Sequence, residues 1–313
     1  MEYIRIKNSD LVVSRIAIGG DPMGLHAWGD TNETEMIEAV RAGIDAGITY
    51  FDTADVYGLG TAETLLAKGI GADRHKVVIA TKFGVRRTED NTRTFYDISP
   101  AWMRRAVEGS LRRLNTDYID LYQIHYLDGV TPLDEVVNAL DRLKQEGKIR
   151  YYGLSNVAKK DLDLLKPFAG KFCSFQNQYS LACRDFEQDI RELSDVMNMT
   201  PLTWGSLGQG ILTGKYGRDV VMDPSDKRSR DTFPNFHGEK LRKNLDIVDE
   251  MRKMEPTYGK KPASIALRFI LDYFPESAAL VGVKRTSQVL SNCEAFGWKL
   301  RDEDLARLER ISR

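Results

Sequence analysis

Cysteine and long apolar runs are both scarce in this chain of 313 residues. Its three cysteines have no close, metal-type spacing, and their odd number argues against a disulfide framework. No apolar run approaches the roughly 20 residues that a membrane span needs. We therefore expect unpaired thiols in a reducing compartment, and a cytoplasmic protein without a membrane span.

Neither sign of charge dominates the composition. The formal net charge is −1, which gives no overall attraction to nucleic acid or to anionic membranes. The N-terminal segment includes Glu2, Arg5 and Lys7, so it lacks the apolar centre of a signal peptide. Hydrophobic residues make up 42% of the chain, which is enough for a packed core.

Short apolar runs alternate with longer amphipathic stretches along the chain. The short runs are apolar along most of their length, as parallel strands covered on both faces are. They cover residues 15–19, 49–52, 77–82, 119–125, 151–155, 175–179, 201–204 and 279–283. Helices are expected over residues 33–46, 99–114, 131–147, 161–166, 185–197, 240–254, 264–273 and 287–296. This alternation predicts an α/β fold, a closed (β/α)8 TIM barrel that forms one domain over residues 1–313.

Two further features bear on this barrel. Residues 3–7 and 11–13 flank a polar turn, which predicts a short N-terminal β-hairpin that closes the bottom of the barrel. Long connections follow the third and seventh strands, over residues 84–98 and 205–237, on the face where barrel enzymes place their sites. An open, doubly wound sheet is the alternative fold, but no G-x-G-x-x-G motif opens a helix after the first strand.

Four polar residues stand at or just after the ends of neighbouring strands: Asp52, Tyr57, Lys82 and His125. Side chains at these ends point into the mouth of a barrel, where catalytic groups gather. Such a set supports carbonyl reduction, because the oxygen must gain a proton as hydride adds to the carbon. Each residue alone is more often structural, so the interpretation depends on their coincidence on one face.

Each member of this set has an expected role. Tyrosine has an ordinary pKa of about 10, and a lysine cation beside it would lower that value, so Tyr57 would act as the general acid with Lys82 next to it. Asp52 would hold the lysine in place. A neutral His125 would orient the carbonyl oxygen or relay the proton.

The segments that carry these residues resemble the aldo-keto reductase superfamily, over nearly the whole chain. The similar segments are FDTADVYG at 51–58 with Gly60 and Glu63, Thr81-Lys82, DYIDLYQIH at 117–125, GKIRYYGLSN at 147–156 and QNQYS at 176–180. The resemblance implies an NADPH-dependent oxidoreductase that reduces an aldehyde or ketone, a sugar-like one among the candidates. It also implies that Tyr57 is the general acid and that Asp52, Lys82 and His125 support it.

The resemblance further implies a set of residues around NADPH/NADP+. Ser155, Asn156 and Gln178 would hold the nicotinamide carboxamide, and Trp204 would stack on the ring. The full expected set is Gly20, Asp52, Ser155, Asn156, Gln178, Trp204, Gly205, Ser206, Leu207, Gly210, Lys215, Gly282, Lys284, Gln288 and Asn292. Lys284 adds a positive charge suited to the 2′-phosphate of NADPH, and Arg285 is the alternative source of that charge.

Substrate and mechanism leave alternatives open. Trp28 and Tyr126 are the candidate substrate contacts, and the pocket walls are expected from residues 21–30, 84–98, 126–130 and 216–238, so the substrate is a small carbonyl compound of unknown identity. One alternative is the same barrel holding NADPH as a regulatory or redox-sensing subunit with little turnover. Another is a metal-dependent hydrolase, which is disfavoured because the remaining histidines are scattered and a metal site needs converging ligands.

Overall fold

A closed barrel of parallel strands forms the centre of the molecule. The computed structural model describes residues 1–88 and 93–313. In chain order its strands are β1 (Tyr3–Arg5), β2 (Val12–Ser14), β3 (Ile16–Gly19), β4 (Tyr50–Asp52), β5 (Val78–Phe83), β6 (Val85–Arg87), β7 (Thr94–Tyr96), β8 (Ile119–Ile124), β9 (Ile149–Ser155), β10 (Ser174–Gln178), β11 (Thr200–Trp204) and β12 (Ala278–Gly282). Within these ranges β3, β4, β5 and β8 to β12 close into the barrel, and β12 pairs with β3. The fold prediction is confirmed, with every predicted barrel strand within two residues of its observed bounds.

Helices surround this barrel. They are α1 (Glu33–Asp45), α2 (Thr61–Ile70), α3 (Pro100–Leu114), α4 (Leu133–Gln145), α5 (Leu162–Leu165), α6 (Glu187–Met197), α7 (Gly238–Tyr258), α8 (Pro262–Tyr273), α9 (Thr286–Cys293) and α10 (Asp302–Ser312). The sequence prediction did not include α2 and α10. The helix predicted over residues 161–166 is instead a 3-10 turn, Lys159–Asp161, followed by the single turn of α5. In the described residues, no helix combines the length and the apolar character needed to cross a membrane.

The N-terminal hairpin closes one end of the barrel, as predicted. β1 and β2 pair antiparallel. Ile6, Leu11 and Val13 are buried against residues inside the barrel, among them Tyr50 and Leu202. Burial of this apolar surface holds the hairpin on the N-terminal ends of the strands. The opposite end, where the strands finish, remains open to the connecting segments.

Both long connections contain local structure at this open end. Within residues 84–98, β6 and β7 pair antiparallel, which the sequence did not predict, and residues 89–92 lie outside the described part of the chain. The connection over residues 205–237 contains three 3-10 turns, Gly208–Thr213, Lys227–Ser229 and Pro234–Phe236.

Candidate active site

A buried ion pair lies where β4 and β5 end. Lys82 Nζ lies 2.5 Å from Asp52 Oδ1 and also donates a hydrogen bond to the Thr53 carbonyl oxygen at 2.9 Å. The lysine side chain is 0% exposed and the aspartate side chain 4%. β4 and β5 are neighbours in the barrel, so the register brings the two residues together. Each charge depends on the other, because a buried charge without a partner is strongly unfavourable.

Two glutamines inside the barrel complete the surroundings of this carboxylate. Gln123 Nε2 donates to Asp52 Oδ2 at 3.1 Å, and Gln176 Nε2 donates to the same oxygen at 2.8 Å. Both side chains are buried. The sequence prediction did not name them as site residues, although an amide inside an otherwise apolar strand is itself a signal of a buried polar partner.

Tyr57 lies on a 3-10 turn, Tyr57–Gly60, that follows β4. Lys82 Nζ lies 5.3 Å from the centroid of the Tyr57 ring, and the His125 ring meets that ring edge to face at 5.8 Å between centroids. The structure therefore brings together the four residues of the predicted catalytic set. The turn depends on Gly58, which has a φ of 58°, because an added Cβ would lie 2.3 Å from the Gly24 carbonyl oxygen.

The direction of the Tyr57 pKa differs from the expectation. Burial raises the pKa of Tyr57 well above its ordinary value, and the Asp21 and Asp52 carboxylates raise it further. Lys82 bonds to Asp52 and to the Thr53 carbonyl oxygen, and burial outweighs the effect of its charge on the pKa of Tyr57. Tyr57 is consequently protonated at neutral pH and holds the proton that a general acid must supply.

His125 directly follows β8, and its side chain is neutral. Burial lowers its pKa well below the ordinary value, and the Lys82 charge lowers it further. Its ring stacks on Tyr126 at 5.2 Å, and Tyr126 stacks on Tyr96 at 4.8 Å. The His125 Nδ1 atom is buried without a hydrogen-bond partner among the described residues. A neutral imidazole fixed in this way can bond to an oxygen without a change of charge.

These side chains face a cavity of about 1130 Å³ at the open end of the barrel. Every predicted site residue lines it except Lys82, which lies behind Asp52. The lining residues that the sequence predicted are Gly20, Trp28, Asp52, Tyr57, His125, Tyr126, Ser155, Asn156, Gln178, Trp204, Gly205, Ser206, Leu207, Gly210, Lys215, Gly282, Lys284, Gln288 and Asn292. Among the residues that the structure describes, no three His, Cys, Asp or Glu side chains converge as a metal site would require.

Asn156 organises the wall of the cavity between His125 and Trp204. Its backbone is left-handed, with a φ of 56°. Asn156 Nδ2 donates to the His125 carbonyl oxygen at 3.1 Å, and Trp204 Nε1 donates to Asn156 Oδ1 at 3.2 Å. The Ser155 hydroxyl donates to the Gln176 carbonyl oxygen at 3.2 Å. These bonds fix an amide and an indole beside Tyr57 and His125.

Positive charge collects at the other end of the cavity. Lys215, Arg228 and Lys284 all line it. Burial lowers the pKa of Lys284, and repulsion from Arg228 and Lys215 lowers it further. Gly205 and Gly210 have φ values of 67° and 104°, so backbone amides approach this end without side chains. Mutually repelling cations beside open backbone suit a phosphorylated ligand.

Lys284 and Arg285 have different surroundings. Lys284 Nζ lies 2.9 Å from the carbonyl oxygens of both Trp28 and Asp30, while its backbone NH donates to Gln288 Oε1 at 2.7 Å. Arg285 instead pairs with Asp30 and Glu35 on the surface, at 2.6 and 3.1 Å, and does not line the cavity. The geometry therefore favours Lys284 as the cation of this site.

A strap, residues 216–237, crosses the cavity and is tied to the segment after β3. The Lys227 backbone NH donates to the Ala27 carbonyl oxygen at 2.8 Å, and Lys227 Nζ lies 3.0 Å from Asp21 Oδ2. The same ammonium lies 3.9 Å from the centroid of the Trp28 ring, and Phe233 meets that ring edge to face. Trp28 thus anchors the strap, and its Nε1 is buried without a partner among the residues described.

Comparison with known proteins gives a consistent result over the whole chain. The model of the aldo/keto reductase family matches residues 15–313. The aldo-keto reductase YhdN of Bacillus subtilis is 35% identical over 307 residues, which cover 97% of this chain and 91% of the relative.

Two solved structures extend the comparison. A glycerol dehydrogenase from Gluconobacter oxydans superposes with a TM-score of 0.89 at 36% identity, over 99% of this chain and 94% of its own. An aldo-keto reductase from Klebsiella pneumoniae, solved in complex with NADPH, has a TM-score of 0.76 at 29% identity, over 100% and 95% of the two chains. With the family model matching nearly the full length and the strand-end residues assembled around one cavity, this chain belongs to the aldo/keto reductase family.

Proposed function

We propose that this protein reduces an aldehyde or ketone to an alcohol with NADPH, and that Tyr57 donates the proton. The observation that carries the proposal is one cavity with a protonated tyrosine and a neutral histidine at one end and three cations at the other. NADPH, when bound, supplies hydride to the carbonyl carbon. The Klebsiella pneumoniae relative solved with NADPH supports this choice of cofactor.

The residues at the inner end divide the remaining work. Tyr57 Oη donates its proton to the carbonyl oxygen as negative charge develops there. The resulting tyrosinate is stabilised by Lys82, whose Nζ lies 5.3 Å from the ring centroid. Asp52 keeps that lysine in place, and His125, neutral and fixed by its stacking on Tyr126, orients the oxygen.

Further residues of the cavity fit the cofactor. Asn156 and Trp204, joined by a hydrogen bond, would hold the nicotinamide beside the reacting carbon. Gly205 and Gly210 would admit the pyrophosphate, since backbone without side chains lets its oxygens approach closely. Lys284 would meet the 2′-phosphate that distinguishes NADPH from NADH.

A short hydroxylated carbonyl compound is one candidate substrate. The Gluconobacter oxydans relative is a glycerol dehydrogenase.

Replacement of the tyrosine hydroxyl tests the proposal. Tyr57→Phe keeps the ring and removes the proton, so turnover should fall by about 100- to 10,000-fold while NADPH binding barely changes. Steady-state NADPH consumption with a panel of ketones and aldehydes, glyceraldehyde among them, measures turnover. Fluorescence titration measures NADPH binding. Tyr118→Phe, far from the cavity, is the matched control.

Two results would contradict the proposal in different ways. Near wild-type turnover in a folded Tyr57→Phe variant would remove Tyr57 as the acid. NADPH binding by the wild type without consumption for any carbonyl compound would favour the regulatory alternative instead.

A further inference from the structure

We infer that a second cavity next to the active site binds the apolar arm of the carbonyl substrate, and this inference rests on the proposed function. The cavity has a volume of about 590 Å³. Tyr126 and Asn156 line both this cavity and the larger one, so the two meet beside His125. In this proposal, a substrate whose carbonyl lies at Tyr57 extends past Tyr126 into the groove. Its volume is within the range of about 300–1,000 Å³ typical of ligand pockets.

Apolar side chains form much of the lining of the groove. Its apolar members are Ile98, Leu127, Val130, Pro132, Leu133 and Leu164. Two of these large apolar side chains are exposed, Val130 at 82% and Leu164 at 49%. Clustered exposed apolar residues beside a polar active site indicate a surface that a ligand covers.

The groove is held in shape before any ligand binds. Asp128 Oδ2 accepts hydrogen bonds from the Ile98 backbone NH at 3.1 Å and from the Thr131 hydroxyl at 2.6 Å. Asp128 Oδ1 accepts from the Val130 NH at 3.0 Å. Tyr126, stacked between His125 and Tyr96, forms a rigid wall. Binding an arm here requires little ordering of the protein, which favours affinity.

The charges around the groove argue for an uncharged arm. Asp128 accepts hydrogen bonds from its own loop, one of them from the Thr131 hydroxyl. Asp161 Oδ2 accepts a hydrogen bond from the Ala158 NH at 2.8 Å. Lys160 also lines the groove, so it carries two carboxylates and one ammonium. An anionic end group would meet more negative than positive charge. An alkyl or aryl arm meets the leucine and valine side chains instead.

A chain-length series of straight aldehydes from propanal to nonanal tests this inference. Full burial of a methylene contributes about 0.8 kcal/mol, roughly fourfold in kcat/KM, and in an open groove we expect about twofold for each added carbon. Leu164→Asp should flatten this slope and leave propanal turnover unchanged. Val196→Asp is the matched control, because Val196 is equally exposed at 49% but lies on α6 and lines neither cavity.

Val130→Asp provides an independent second variant, with the same expected loss of slope. A flat series in the wild type, or a slope that survives in both variants, would overturn the inference while the proposed function stands. A uniform loss for all aldehydes in the two variants would also overturn it, since the groove would then be structural. Absence of turnover for every aldehyde, propanal included, would overturn the proposed function together with this inference.

Discussion

Asp55 is a largely buried carboxyl group two positions before Tyr57. Its Oδ1 is buried without a partner among the described residues. Burial, reinforced by the Glu63 carboxylate, raises the pKa of Asp55 to about 8. The group is therefore neutral in the folded protein at pH 7 but ionised in the unfolded chain, where its pKa is near 3.8.

This shift predicts a pH-dependent stability. Because the folded pKa is raised, the Asp55 contribution favours folding at low pH and is lost as pH rises from about 4 to about 8, by up to about 1.4 kcal/mol per pH unit. Asp55→Asn removes this dependence, so its stability relative to wild type should rise from pH 5 to pH 8. Urea unfolding at both pH values measures the difference. Asp117→Asn, at an exposed position, is the control, and an unchanged difference between the two pH values would refute the assignment.

Cofactor choice is a second question at the level of single residues. Lys284→Ala should weaken NADPH binding by about 10- to 100-fold, since a charge-assisted bond contributes on the order of 1.5–3 kcal/mol. NADH lacks the 2′-phosphate, so its dissociation constant should change far less. A loss shared by both cofactors would instead show that Lys284 acts by holding the Trp28 and Asp30 carbonyls.

Arg285→Ala is the matched control for that substitution. Arg285 pairs with Asp30 and Glu35 away from the cavity, so its removal should leave NADPH affinity nearly unchanged. Equal affinities of the wild-type protein for NADPH and NADH would show that it does not prefer NADPH.

Single residues also mark how far the sequence predicts the site. The positions of Asp52, Lys82 and His125 at strand ends could be predicted, because the last residues of parallel strands lie on one face of the barrel. Gln123 and Gln176 were missed because their role depends on two strands meeting the same carboxylate across the barrel interior. The predicted direction of the Tyr57 pKa was wrong because burial of the hydroxyl is the largest influence on it, and sequence spacing does not show burial.

Among the elements, the turn after β4 places Tyr57 and depends most on a single glycine. Gly58→Ala puts a Cβ in a left-handed backbone and against the Gly24 carbonyl, so Tyr57 should shift and turnover should fall at least tenfold. We also expect a loss of more than about 2 kcal/mol in the free energy of unfolding, because strain and the clash add. Steady-state kinetics and urea unfolding measure the two effects.

Gly170→Ala is the control that separates the effect of backbone strain from the effect of displacing Tyr57. Gly170 also has a positive φ, 82°, but nothing lies within 4 Å of an added Cβ. Its substitution should lower stability by about 1 kcal/mol and leave turnover unchanged. If both variants lose activity equally, the close approach of Gly58 to Gly24 is not what positions Tyr57.

The barrel strands were predictable from their apolar runs, whereas α2 was not predicted. α2 begins after Gly60, which has a φ of 95° and provides no side-chain cap, so the usual starting signal is missing. α10 begins with Asp302, Glu303 and Asp304, a favourable charge pattern that the prediction did not use. The pairing of β6 with β7 was missed because the sequence between these two short strands contains no glycine or proline.

At the scale of the whole molecule, Arg15 links the start of the barrel to its end. Its guanidinium donates to the carbonyl oxygens of Leu271, Phe274 and Ser277, at 2.7, 3.1 and 3.2 Å. Arg15→Met removes this donor from the Leu271 and Ser277 carbonyl oxygens, while the Phe274 carbonyl oxygen keeps its bonds from the Ser277 NH and hydroxyl. The free energy of unfolding should therefore fall by roughly 3 kcal/mol. Because the barrel is closed, we expect one cooperative urea transition at a lower midpoint.

A surface arginine provides the comparison for that experiment. Arg218 pairs with Asp246 and Asp249 at 54% exposure, so Arg218→Met should change stability by less than about 1 kcal/mol. Similar losses for the two variants would mean that the Arg15 contacts do not stabilise the closure of the barrel.

The pairing of β3 with β12 determines how long one edge of β3 stays unpaired while the chain is synthesised on the ribosome. Ile18 pairs with Val281, so most of the chain must emerge before the first barrel strand meets its last neighbour. At about 5–20 residues per second, this edge of β3 stays unpaired for on the order of tens of seconds. An unpaired strand edge invites pairing with other nascent chains, so chaperone supply during translation should govern the yield of folded protein.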